Sequence, residues 1–135
     1  MLTQYGANLL VGALTGQQTF PASLWVALLT TSPDPDSTGT DIAAWEPTDA
    51  AYARQEILLN GLSSWAAPTT GACLYGIGMV YSNAEADWPV LKHYALCTES
   101  VDGELVLYAP LPYTVTVKAS AFVTIPANSL SLEAF

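Results

Sequence analysis

Apolar residues recur at helical spacing near the start of the chain, where Tyr5, Leu9, Leu10, Ala13 and Leu14 fall on one stripe. Thr3 can cap that stripe through its hydroxyl, and Gly16 suits its C-terminal stop. The spacing predicts one amphipathic helix over 3–15, with no charged residue in it. Such a helix must pack on its own sheet or on a neighbouring subunit.

After Pro21 the period changes. Residues 23–31 form a nearly continuous apolar run bounded by Pro21 and by Ser32-Pro33-Asp34-Pro35, which reads as a buried core strand. Residues 32–50 are rich in Asp, Pro, Thr, Ser and Gly and read as a long loop. A loop longer than about 15 residues in a compact domain usually carries function or wraps a partner. Strand patterns follow over 52–59, over 74–81 with interruptions at Gly76 and Gly78, and over 90–98. Further strands are expected over 105–111, 113–118, 121–126 and 129–133. Turn signals stand at Asn60-Gly61, Pro68-Thr69-Thr70-Gly71 and Asp102-Gly103. Seven or eight short strands spaced by turns predict a mainly β protein: a single antiparallel β-sandwich, jelly-roll or Ig-like, with one N-terminal α-helix. One domain covers 1–135, with the sandwich over 22–134.

Charge and composition narrow the partners. Twelve acids against three basic residues give a net charge of −9, which repels phosphate backbones and anionic membrane surfaces. Nucleic acid and membrane are therefore excluded as expected partners. No run approaches the roughly 18 apolar residues that cross a bilayer, and the start of the chain lacks the basic region of a signal peptide. Hydrophobic residues make up 51% and charged residues 11%, more apolar surface than one small core needs. Part of it is expected to face other chains. Cys73 and Cys97 each lie in an apolar run and read as buried free thiols. Whether they touch is open from sequence.

Catalytic patterns are sparse. His93, the only histidine, has no Gly-x-Ser-x-Gly elbow to serve. Cys97, four residues on along a strand, is about 13 Å away, too far for a nucleophile–base pair. One His and two Cys cannot close a zinc site. Asp34, Asp36 and Gly39 partly match an EF-hand loop, but position 12 is Trp45 where a bidentate acid belongs, with Glu46 one later. Glu85 with Asp87, or Glu99 with Asp102 and Glu104, are conceivable glycosidase pairs, yet they sit at turns where acids serve solubility. No cofactor, metal or catalytic residue is expected. The four tryptophans are more telling. Trp25 reads as core, whereas Trp45 and Trp88 either pack under their own loops or anchor an interface.

The order of motifs resembles a family of small tailed-phage proteins labelled tail fibre or head decoration proteins. Leu14-Thr15-Gly16 ends the helix, and Pro21-Ala22-Ser23-Leu24-Trp25-Val26-Ala27-Leu28 leads to Thr30-Thr31-Ser32-Pro33. Glu46-Pro47 and Tyr52-Ala53-Arg54 follow the acidic loop. Next come Trp88, Val90, His93-Tyr94-Ala95-Leu96, Gly103, Val106, Tyr108 and Leu111, and then Val123, Pro126, Leu130 and Leu132. Val106 stands where the family carries Leu, and Cys73-Leu74-Tyr75-Gly76 replaces a more polar segment. Arg54 lies near Glu56 and reads as one half of a salt bridge. The resemblance implies a non-enzymatic β-sandwich, present in many copies in the virion and often trimeric. Capsid decoration on the major capsid protein is the first expectation. A tail fibre or minor tail component bound to other tail proteins and contacting the host surface is the second, and a cell-wall glycan hydrolase is a distant third. Tyr5, Leu9, Leu10 and Leu14 on the helix, Asp34 and Asp36 on the long loop, and Trp45 and Trp88 are the expected interface residues.

Overall fold

The computed structural model describes residues 1–59, 65, 72–127 and 129–133, with the backbone alone for 72–74 and 130–133. The elements run α1 (Gln4–Leu14), β1 (Ser23–Leu29), a 3₁₀ turn (Asp41–Trp45), β2 (Gln55–Leu58), β3 (Ala72–Tyr75), β4 (Met79–Val80), β5 (Leu91–Cys97), β6 (Leu105–Val115), β7 (Thr124–Ile125) and β8 (Leu130–Glu133). All pairings are antiparallel, in a four-stranded sheet ordered β2-β1-β5-β6 and two ribbons, β3-β8 and β4-β7. The fold is a small, mainly antiparallel β-sandwich with one N-terminal helix, as the strand pattern predicts. The turns expected at Asn60-Gly61 and at 68–71 lie outside the described residues.

The central strand β1 is buried on both faces, which explains why it reads as an unbroken apolar run instead of an alternating one. Leu24 and Val26 pack with Ile57, Leu96 and Met79, and Leu28 packs with Tyr81, Trp88 and Leu91. On the opposite face Ala27 and Leu29 pack with Ile42, Ala95, Cys97 and Leu105. Each large aliphatic side chain so withdrawn from water stabilises by about 1.5–3 kcal/mol.

Several strands differ from the sequence pattern, and those expected over 52–59 and 121–126 shorten to Gln55–Leu58 and Thr124–Ile125. The run 74–81 divides into β3 and β4, which pair with different partners across residues 76–78. The patterns over 105–111 and 113–118 merge into the single long strand β6 despite Pro110 and Pro112. β6 is an edge strand, where a missing N–H disrupts no further ladder. Asp102 (φ 55°) and Gly103 (φ 74°) both adopt left-handed backbone, so Asp-Gly makes the expected β5–β6 turn. A bulge sets Leu105 opposite Cys97 and Leu107 opposite Leu96. By ordinary strand alternation Leu105 joins one core face and Val106 the other.

The helix is fastened to that edge. The Thr3 hydroxyl accepts from the Gly6 amide at 3.0 Å and donates to the Leu105 carbonyl, while the Thr3 amide donates to the Val106 carbonyl at 3.1 Å. A Cβ on Gly6 would lie 2.0 Å from the Val106 oxygen, so no larger residue fits there. Gly16, at φ 73°, ends the helix as expected.

Candidate functional surfaces

The long loop 32–50 wraps its own sheet. Ile42 is fully buried against Ala27, Leu29 and Ala95, and Trp45 packs against the same cluster. The Trp45 carbonyl accepts from the Thr30 amide at 3.0 Å. Trp45 is thus half-buried in its own chain. The acids of the loop serve its own backbone: Asp34 Oδ1 accepts from the Asp36 amide, and Asp41 Oδ2 from the Thr38 amide and hydroxyl. These bonds from Thr38 hold the Asp41 carboxyl below its ordinary value. Among the described residues no group of three or more His, Cys, Asp or Glu is placed to hold a metal ion. Asp34 and Asp36 stay exposed.

What clamps the loop is Arg54. Its side chain is 3% exposed and uses all five N–H donors. Nε and Nη2 form a bidentate pair with Glu46 at 2.9 and 2.8 Å. Nη2 also reaches the Gly39 carbonyl, and Nη1 reaches the carbonyls of Glu99 and Asp102. Burial opposes the Arg54 charge, and the Glu46 bonds outweigh it, so the guanidinium is held above its ordinary value. Glu46 also accepts from the Tyr52 hydroxyl at 2.7 Å, and that oxygen accepts from the Leu28 amide at 3.0 Å. Burial first, then the Tyr81 and Glu46 charges, push the Tyr52 hydroxyl far up. The ion pair therefore runs to Glu46, not to the exposed Glu56. Spacing alone favours Glu56, two residues away, whereas the Glu46-Pro47…Tyr52-Ala53-Arg54 motif already contains all three members of the network.

A cleft of about 420 Å³ opens beside this clamp, lined by Trp25, Glu46, Pro47, Arg54 and Val101 among others. Trp25 is half-exposed in this cleft instead of in the core, and Ala43, Glu46 and Pro47 of the loop line the cleft with it. Every Arg54 donor is already taken, so the cleft presents an indole face and no free cation.

Of the expected acid pairs, Asp102 lines this cleft beside Glu46. Glu85, Glu99 and Glu104 are exposed at turns. Asp87 accepts from the Ala119 amide and bridges to Lys118 at 3.1 Å, which holds it below its ordinary value. Burial pushes the Cys97 thiol up to about 12, so it carries no thiolate near neutrality. The side chain of Cys73 lies outside the described ones. His93 faces Leu29 on one side and Pro110 on the other.

Trp88, expected at an interface, is instead 4% exposed. Its indole N–H donates to Asp49 Oδ2 at 2.8 Å, and its ring meets Tyr52 edge-on at 5.5 Å. Asp49 also accepts from the amides of Ala86, Ala51 and Glu85, and these bonds draw its carboxyl down to about 2. Asp49 was not legible as a structural acid, because three of its four donors, on Glu85, Ala86 and Trp88, lie 36 to 39 residues away.

The helix stripe divides. Leu9 is buried in the core, whereas Tyr5, Leu10, Val11 and Leu14 stay exposed, Leu14 by 79%. Tyr5, Leu10 and Leu14 keep the outward position expected of interface residues, and Leu9 does not. A second apolar surface is concave. It is a groove of about 320 Å³ where the far half of β6 passes β7, lined by Leu111, Tyr113, Val115, Val123, Ile125 and Pro126 among others.

Fold and surfaces together define a class: a lightly charged β-sandwich whose polar side chains secure its own loops while unmatched apolar side chains face outward. Over residues 1–133 the chain matches the family described as Podophage GP4 fiber I protein gp80, and it belongs to that family. It is a tailed-phage virion protein, as its motifs implied. No curated protein matches the chain.

Proposed function

We propose that this chain is a non-enzymatic structural module of a tail fibre that works in several copies, as a homotrimer, bound to other tail proteins. The observation that carries this reading is the match to a family described as a fibre protein over 1–133 of 135 residues. It favours the fibre over capsid decoration on the major capsid protein. The chemistry supports a structural role. Among the described residues the one buried ion pair is saturated by backbone carbonyls and by Tyr52, and the turn acid Asp102 lines the cleft beside Glu46, whose carboxylate Arg54 already pairs. Among the described residues no helix is long and apolar enough to cross a membrane.

Quantitative mass spectrometry of purified particles, with immunogold labelling, tests this. The expected result is a few copies per hundred coat subunits, with label on the tail. About one copy per coat subunit, with label over the head, would return the protein to the capsid surface.

A further inference from the structure

The cleft beside the Arg54 clamp combines an aromatic face with acids. Trp25 is half-exposed in it, and Asp102 lines it from the β5–β6 turn. Glu56 is the register partner of Trp25 across β2 and β1. Directly paired residues carry their side chains on one face, with Cβ atoms about 5 Å apart. The exposed Glu56 therefore stands beside Trp25 on the face that opens into the cleft.

Charge indicates what the cleft accepts. Glu46 is neutralised by Arg54, whose donors are all taken, so the clamp adds no net charge and offers nothing to an anion. Asp102 and Glu56 remain, and among the described residues neither is in an ion pair. The chain has no cation to give them. Its basic residues are Arg54, Lys92 and Lys118, and Lys118 bridges Asp87. Lys92 lies five residues along β5 from Cys97, the register partner of Trp25, which is about 16 Å at roughly 3.3 Å per residue. The residues outside those described include no Lys, Arg or His. An exposed acid alone is satisfied by water, but an indole between two acids offers its negative ring face to a cation as well. We infer that the cleft receives an arginine side chain of a partner tail protein, its guanidinium stacked on Trp25 and bonded to Asp102 and Glu56. Arginine fits better than lysine because its planar head stacks on aromatic rings, bonds carboxylates in pairs and gives up water more readily. The inference rests on the reading that the chain binds other tail proteins, and it names the surface and the group it takes.

The test titrates the full chain with the blocked tripeptide acetyl-Gly-Arg-Gly-amide and follows the Trp25 indole N–H and the Val101 amide by NMR. A saturable shift of both signals is expected. The citrulline tripeptide keeps the shape and loses the charge, and is expected to bind about tenfold more weakly. Trp25→Leu, read at Val101, should weaken binding about fivefold, and Asp102→Asn with Glu56→Gln about threefold. Circular dichroism checks the fold of each variant. In purified particles, a benzophenone amino acid in place of Val101, which is 71% exposed, cross-links the occupant for mass spectrometry. An arginine-bearing peptide of another tail protein is expected. Equal binding of the citrulline peptide, or binding untouched by the Asp102 and Glu56 changes, would overturn the inference. So would a cross-link to a second copy of this chain, or to no protein at all. A cross-linked arginine of the coat protein would keep the arginine site and overturn the fibre reading. A failed titration with label on the tail would do the reverse.

Discussion

The loop 32–50 and the helix Gln4–Leu14 are both long excursions from the same sheet, and they treat their side chains in opposite ways. The loop is acidic and holds three prolines, yet it turns inward. Ile42 fills the space over Ala27 and Leu29, and Arg54 ties Gly39 and Glu46 to the β5–β6 hairpin. The helix is uncharged and apolar, yet much of its apolar surface turns outward, since the sheet edge receives only Thr3, Gly6 and Leu9. Polarity along the chain is therefore a poor guide to which segment docks on something else. An unpaired backbone can be buried if a side chain with many donors satisfies it. An amphipathic helix seated on a narrow edge has only one buried stripe to offer.

The comparison breaks most sharply at Arg54. Arg54→Met leaves the Glu46 carboxylate buried without its counter-charge and frees three backbone carbonyls. A loss of about 3–5 kcal/mol is expected, read as a fall in the urea midpoint together with protease cleavage within 32–50. A loop that stays resistant would mean that Ile42 and Trp45 hold it unaided.

Next in size is Gly6→Ala, which forces a methyl group to 2.0 Å from the Val106 oxygen. Overpacking of this kind costs about 1–3 kcal/mol. The cost is expected as a lowered melting temperature and faster amide exchange at Leu9, with residues 32–50 unaffected.

Asp49 sharpens the comparison through pH. Its folded carboxyl titrates at about 2, below the ordinary value of 3.8, because of the Ala86, Ala51, Trp88 and Glu85 donors. The unfolded chain therefore binds the proton more readily. Its contribution to stability is complete above the ordinary value and fades as pH falls through about 2. Asp49→Asn is expected to flatten the change in denaturation midpoint across that acidic window relative to wild type. An unchanged profile would show that other acids set it.

The smallest effect is expected at Leu14. Leu14→Glu on the exposed ridge should move the stability of the isolated chain by no more than about 0.5 kcal/mol. A larger loss in a monomeric preparation would mean that the ridge is buried within its own chain.

Much of the fold was legible because its signals are local. Thr3 and Gly16 bound the helix, Asp102-Gly103 makes the hairpin, and the apolar run from Leu24 to Leu29 marks the doubly covered strand. The division of the run 74–81 was weaker, since Gly76 and Gly78 mark an interruption without saying that the two halves pair with different strands. At the candidate surfaces the residue types were readable and their destinations were not. Trp25 lies in a cleft instead of in the core, and Trp88 packs under its own loop instead of at an interface, because coverage of a sheet face depends on where a distant loop comes to rest.

By itself the sequence determined the antiparallel β class, the single capped helix, the acid-rich charge that repels nucleic acid, and the ordered motifs shared with a tailed-phage family. These follow from side-chain period, capping chemistry and net charge, each of which acts over a few residues or over the whole chain at once. Only the tertiary structure decided that Arg54 pairs with Glu46 instead of Glu56, that Asp49 holds Trp88, and that Leu9 is buried while Leu14 is not. Those outcomes depend on segments brought together from up to about a hundred residues apart, as Thr3 is with Leu105, and the cost of closing such loops is recovered only through packing that no local pattern encodes.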